Sequence, residues 1–176
     1  KGYPLDKFKC RDILIVGGGV GLAPLRSLLF SLFSDIDSYN KVILRYGARC
    51  AADIVYKEAI PEWAKKRKVD LVATVDVGDA SWNGNVGLVT TILKDLPVDI
   101  HNAVGVVCGP PIMMKFVTLK LMDLGFAPAN IYLSMEKNMS CGLGKCGHCR
   151  IGKYYACKDG PVFTYEQLKD IHDIWD

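Results

Sequence analysis

Apolar and polar positions along this chain fall into blocks whose period switches back and forth. Residues 12–16, Asp-Ile-Leu-Ile-Val, form a short β-branched run that stops at Gly17-Gly18-Gly19, the pattern of a strand buried on both faces. From Leu22 the apolar residues Leu25, Leu28, Leu29 and Leu32 recur at helical spacing. Pro24 suits the first turn of that helix, where its missing N–H would have no partner anyway. The same reading predicts strands at 41–46, Val69–Val75, Ala103–Cys108 and Ile131–Ser134. It predicts helices over 51–66, interrupted at Pro61, over 90–96 and over 112–124. Strands alternating with helices imply an α/β fold, an open parallel sheet covered on both faces.

The pattern changes after Ser134. Residues 136–160 hold five of the 17 glycines and four of the seven cysteines, with almost no periodicity. This reads as a loop-built, Cys-rich C-terminal appendage that depends on a metal centre for its stability. The tail over 163–175 returns to helical spacing and is expected to pack back on the body. The expected division is a nucleotide-binding domain over 11–135 and a cluster domain with a tail helix over 136–176. There is no internal repeat.

Composition narrows the class. With 176 residues, half of them hydrophobic, the chain fits one core and an appendage. The net charge of +3 comes from acidic and basic residues mixed along the length, which gives nucleic acid no basic stripe to follow. The basic run at 65–68 reads as a solvated helix end. No apolar stretch reaches the roughly 20 residues of a membrane span, and the first residues do not read as a signal peptide. Seven cysteines, clustered rather than spread, suit metal ligation in a reducing compartment, so a cytoplasmic location is expected.

The clustered cysteines, Cys141, Cys146, Cys149 and Cys157, are spaced C-x4-C-x2-C-x7-C. Plant-type [2Fe–2S] centres use C-x4-C-x2-C and a more distant fourth cysteine. Gly142, Gly144 and Gly147 between them let backbone N–H groups approach the sulfurs. A structural zinc site is the rival, but zinc sites usually pair two C-x2-C knuckles, and here Cys146 and Cys149 alone form one. His148 reads as a loop-tip residue beside the ligands. Lys145 and Arg150 either attract an acidic partner or offset the cluster's charge. Cys10 and Cys50 read as ordinary small apolar side chains.

The glycine turn carries the second chemistry. Gly18, Gly19, Gly21, Ala23 and Pro24 form a G-x-G-x-x-P variant of the dinucleotide fingerprint at a strand-to-helix junction. There phosphate oxygens can approach the backbone and meet the free N–H groups of the helix. Gly47, Ala48 and Arg49 follow the second strand, where an adenosine ribose lies in this fold class. Arg49 suits a 2′-phosphate and Asp53 a 2′-hydroxyl, so NAD and NADP both stay open. Cys108, Gly109 and Pro110 end the strand Ala103–Cys108 at the ligand-binding edge. Cys108, the candidate catalytic residue, either packs in the core or faces the nicotinamide. Asp76 sits in a loop that either lines the nucleotide or is simply solvated.

Taken together, Gly-Gly-Gly-Val-Gly-Leu-Ala-Pro-Leu-Arg, Tyr-Gly-Ala-Arg, Gly-Asn-Val-Gly-Leu-Val-Thr and Cys-Gly-Pro-Pro-Ile-Met-Met, followed by the cysteines, resemble the ferredoxin–NADP reductase superfamily. Met-Ser-Cys-Gly-Leu-Gly-Lys-Cys-Gly-His-Cys and the later Cys-Lys-Asp-Gly-Pro-Val-Phe-Thr-Tyr are most similar to the gamma subunits of hydrogenases and sulfhydrogenases and to one of the subunits of anaerobic sulfite reductase. The electron-transfer subunit of dihydroorotate dehydrogenase B is a more distant resemblance and the alternative reading. A non-enzymatic, zinc-stapled nucleotide-binding module is another.

The resemblance implies that Gly19, Gly21, Ala23 and Pro24 hold the pyrophosphate of NAD(P)H, that residues 47–49 hold the adenosine side, and that residues 108–110 form the nicotinamide edge. It also implies cluster ligation by Cys141, Cys146, Cys149 and Cys157, and partners that are other subunits of a multisubunit redox complex. The family carries an FAD-binding barrel before the nucleotide domain. Residues 1–10 resemble the linker from that barrel, so FAD is expected on a domain absent from this chain. Hydride chemistry and one-electron chemistry meet through a flavin, which can do both.

Overall fold

The computed structural model describes residues 1–175. Seven strands build one sheet: β1 (Asp12–Gly18), β2 (Lys41–Ala48), β3 (Val69–Val75), β4 (Asn85–Val86), β5 (Ala103–Cys108), β6 (Ile131–Ser134) and β9 (Val162–Thr164). Their order is β4-β3-β2-β1-β5-β6-β9. All neighbours are parallel except β9, which runs antiparallel to β6 with Phe163 opposite Leu133. A separate two-stranded ribbon pairs β7 (Arg150–Ile151) with β8 (Tyr154–Tyr155).

Alternation along the strands sends side chains to two cores. Leu14, Val16, Ile43, Val107 and Leu133 face one side, and Ile13, Ile15, Leu44, Val106 and Tyr132 the other. The second side is covered by α1 (Leu22–Ser34), whose Leu22, Leu25, Leu28, Leu29 and Leu32 are buried, and by Trp63 of α2 (Ala59–Ala64). The first side is covered by α3 (Pro111–Asp123) through Met114, Val117 and Leu121. Each such side chain stabilises the fold by about 1.5–3 kcal/mol on full burial.

The Cys-rich appendage does not stand apart from this core. Cys149, Ile151, Ala156, Phe163, Leu168 and Ile174 are buried in the same cluster as Leu133 and Met114. The tail does pack back, but little of it is helical. Its first residues form β9, and α4 is a single turn, Tyr165–Leu168, with a capping box between Thr164 and Gln167. Trp175 then stacks on Tyr165.

Two other expected helices are shorter than their patterns suggest. Residues 51–66 split into a 3-10 turn at Ala51–Asp53 and α2. The break falls at Tyr56, whose φ of 56° is left-handed, a conformation a helix interior cannot hold. Pro61 sits inside α2 rather than ending it, near enough to the start that its missing N–H costs no bond. The expected helix at 90–96 is a 3-10 helix, Val89–Leu93. In the basic run, residues 65–67 are exposed as expected, and only Lys68 is partly buried, its Nζ donating to the Tyr39 carbonyl at 2.8 Å. Among the described residues no helix is long and apolar enough to cross a membrane.

Candidate nucleotide and cluster sites

In a parallel sheet every strand ends on the same edge, so the loops after β1, β2 and β5 meet. They enclose an open cleft of about 870 Å³. Of the residues singled out in the sequence, Gly18, Gly19, Gly47, Ala48, Arg49, Asp53, Asp76 and Pro110 line it. Gly21 lies just behind the lining, where a Cβ would meet the Cys108 carbonyl oxygen at 2.6 Å. The turn can pack against the end of β5 because that atom is missing. Ala23 and Pro24 are exposed on the first turn of α1, outside the lining. Arg49 Nε donates to Asp53 Oδ2 at 3.0 Å, so the cation and the carboxylate that compete in the sequence are tied to each other at the cleft rim.

Two contributions escaped the sequence reading. Tyr46 is fully buried in β2; its hydroxyl donates to the Gly19 carbonyl at 3.1 Å and accepts from Val55 N at 3.1 Å. It therefore ties the glycine turn to the chain at Val55, just past the Ala51–Asp53 turn. The other is the outer face of α3. Ile112, Met113, Phe116 and Leu119 line the cleft, and Ile112 and Phe116 are more than half exposed. The signal was present: α3 is apolar around most of its circumference, more than a helix covering one sheet face needs.

Cys108 and Gly109 do not line this cleft. Cys108 is buried on the opposite face of the sheet with Tyr132. Burial pushes its thiol pKa up, against a lowering contact with Ser134, so the group is a protonated thiol and a poor nucleophile at neutral pH.

The cysteine loop forms a nest of backbone donors. The N–H groups of Leu143, Lys145 and Cys146 lie 3.4, 3.3 and 3.5 Å from Cys141 Sγ. Gly144 N reaches Cys157 Sγ at 3.2 Å, and Cys157 N reaches Cys149 Sγ at 3.5 Å. Gly144 holds its N–H in place with a φ of 69°, a region open chiefly to glycine. The donors, led by Cys146 N–H, pull the Cys141 pKa down to about 6, whereas the neighbouring Cys149 sulfur pushes Cys157 up.

Among the described residues no three His, Cys, Asp or Glu side chains gather about a single point. Backbone donors aimed at cysteine sulfurs nevertheless fit a thiolate-bound metal centre. Cys149 is buried and Cys146 exposed, so one end of the site faces the core and the other faces outward. Ser140 Oγ lies 2.7 Å from His148 Nδ1, which leaves His148 beside the ligands rather than among them.

Comparison with known proteins matches both parts of the chain to described domains. Residues 15–118 match the oxidoreductase NAD-binding domain. The chain belongs to that family. Residues 136–169 match the iron–sulfur cluster binding domain of dihydroorotate dehydrogenase B. This NAD-binding chain is 36% identical over 180 residues to the sulfhydrogenase 2 subunit gamma of Pyrococcus furiosus, covering 93% of its own length and 62% of the relative's. It is 34% identical to the dihydroorotate dehydrogenase B electron transfer subunit of Clostridium perfringens, covering 93% of its own length and 61% of the relative's. The chain therefore spans about three-fifths of the length of these relatives. Among solved structures, the NADH-dependent reduced ferredoxin-NADP oxidoreductase matches with a TM-score of 0.67 at 31% identity, covering 89% of this chain and 53% of that one.

Proposed function

We propose that this chain is the nucleotide- and cluster-binding part of an electron-transfer subunit. It would move electrons between NAD(P)H, a flavin and a [2Fe–2S] cluster, and on to a partner subunit of hydrogenase or sulfite reductase type. The observation that carries this reading is the common core: the nucleotide cleft and the cysteine nest share one hydrophobic cluster, in which Cys149 and Met114 are both buried. Residues 11–135 would form the NAD(P)-binding unit and 136–176 the cluster unit, with 1–10 leading in from a flavin-binding domain.

The FAD and the [2Fe–2S] cluster supply, respectively, the exchange between hydride and single electrons and the one-electron carrier. The protein's own residues position and tune. Gly18 and Gly19 offer backbone to the pyrophosphate, braced by Tyr46. Cys141, Cys146, Cys149 and Cys157 would ligate iron, and the N–H groups around Cys141 and Cys157 offset the thiolate charge. Because Arg49 is already paired with Asp53, a 2′-phosphate would have to break that pair, which favours NADH over NADPH.

Anaerobic reconstitution with iron and sulfide tests the reading. The expected product has visible absorbance and two irons and two acid-labile sulfides per chain, numbers set by the cluster type. Zinc without labile sulfide would overturn it. The match of residues 136–169 favours a second reading, the electron-transfer subunit of dihydroorotate dehydrogenase. Co-purification of the native complex distinguishes the two by whether it oxidises dihydroorotate.

A further inference from the structure

The cysteine segment is charged differently from the rest of the chain. Residues 137–158 contain five Lys or Arg and no Asp or Glu, whereas the remaining residues carry 17 basic and 19 acidic side chains. Lys145, Arg150, Lys153 and Lys158 are exposed, and none of them forms an ion pair among the described residues. Cations of the nucleotide-binding part behave otherwise: Arg49 pairs with Asp53, Lys65 with Glu62 and Arg67 with Asp37. The acids that bracket the segment do not neutralise it. Asp159 Oδ2 accepts from Tyr155 N at 2.8 Å, and Glu136 lies toward Cys108, whose thiol it helps push up.

These cations either offset the charge of the cluster or attract an acidic partner, and their number decides between the two. An oxidised [2Fe–2S] centre with four thiolates carries about two negative charges. Backbone N–H groups around Cys141 and Cys157 already meet part of that charge. A surplus of positive charge therefore remains at the surface. Its placement is specific. The Lys158 stem packs over Gly144, where a Cβ would meet its Cδ at 3.0 Å, so an ammonium is held beside the loop of Cys141 and Cys146 while its head stays in water. Lys145 directly precedes the exposed Cys146. On the same loop Met139 is 49% exposed and Leu143 67%, and Asn138, Met139, Ser140 and His148 wall a shallow hollow of about 520 Å³. An exposed apolar patch beside a charged rim has the composition of an interface, and the sign of the rim selects the partner and speeds its arrival.

We propose that this face docks a separate redox protein that presents a carboxylate-rich surface around its own one-electron centre. One electron crosses there, oxidising this chain's centre and reducing the partner's, with no bond made or broken. The proposal rests on the [2Fe–2S] reading above.

The full-length protein with its flavin and cluster is isolated together with the redox subunits that co-purify with it, the two are separated, and their association rate is measured against NaCl concentration. Three proteins are compared: the parent, the triple variant Arg150→Glu, Lys153→Glu, Lys158→Glu, and a control with the same charge change at the exposed Lys57, Lys66 and Lys94. Association of the parent is expected to slow steeply with salt. The triple variant should associate roughly tenfold or more slowly at low salt and lose most of the salt dependence, while the control stays within about twofold. Iron, labile sulfide and the visible spectrum should be the same in all three. A parent rate indifferent to salt, equal slowing of the control, or the absence of any co-purifying redox subunit overturns the proposal. So does loss of flavin from the triple variant with its association intact, which would assign the basic face to the flavin-binding part of the same protein. A parent protein without iron and labile sulfide would instead sink the cluster reading.

Discussion

At the scale of single residues, the nucleotide cleft depends on contacts that leave no spare volume. Gly21 stands with its Cα against backbone rather than against a side chain that could swing away: an added Cβ would lie 2.6 Å from both the Cys108 carbonyl oxygen and Gly109 Cα. Gly21→Ala must therefore push the end of β5 away from the glycine turn, at a cost of about 1–3 kcal/mol for such overpacking. NAD+ affinity measured by calorimetry is expected to fall tenfold or so, with iron content unchanged because the cysteine nest lies elsewhere. Undiminished affinity would show that the turn does not hold the cofactor.

The Arg49–Asp53 pair makes a different kind of claim, one of selectivity. Arg49 is largely exposed, so the pair itself contributes little to stability. Asp53→Ala removes the acceptor for a ribose 2′-hydroxyl and frees the guanidinium for a 2′-phosphate. The ratio of NADPH to NADH affinity is expected to rise roughly fivefold or more with little change in melting temperature. A falling ratio would mean that Asp53 does not face the ribose.

Elements show what a sequence can and cannot disclose. Five of the six parallel strands and the first helix were legible because burial imposes a period on them, whereas the short exposed β4, Asn85–Val86, was not; the glycine turn was legible because its chemistry is local. The tail was misjudged for a physical reason: Val162–Thr164 is a strand because Ser134–Tyr132 lies alongside it, and no spacing within residues 162–164 encodes that partner. Tyr46 was missed likewise, since its two hydrogen bonds join residues distant in sequence.

The cysteine nest was legible as a ligand set, but its asymmetry was not. Cys149 is almost fully buried whereas Cys146 is exposed. Serine at position 149 would place a hydroxyl in the apolar core, costing about 1–3 kcal/mol. In iron-free protein, Cys149→Ser should therefore lower the melting temperature by several degrees, while Cys146→Ser should leave it unchanged. Equal effects would mean that the two positions do not differ in burial. In the reconstituted protein both variants are expected to lose the cluster.

For the molecule as a whole, the question is how far the fold depends on its metal centre. A loop-rich segment of this composition would ordinarily have no core of its own, yet Ile151, Ala156, Phe163, Leu168 and Ile174 are buried within the main core, and β9 completes the sheet. The dependence should accordingly be local. Residues 139–148 contribute mostly exposed side chains and hydrogen bonds mainly to cysteine sulfurs, so they have little besides the metal to order them. Removing iron anaerobically with a chelator should let their amides exchange quickly while β1, β5, β6 and β9 keep their protection. NAD+ affinity should stay within about twofold, because the sheet edge that holds the nucleotide opens only with the global fold. If the sheet instead lost protection together with the loop, the cluster would be a support of the entire fold, and the nucleotide site could not be loaded before it. That outcome would reverse the order of assembly the shared core implies, in which the sheet folds first and presents the cysteines already half organised.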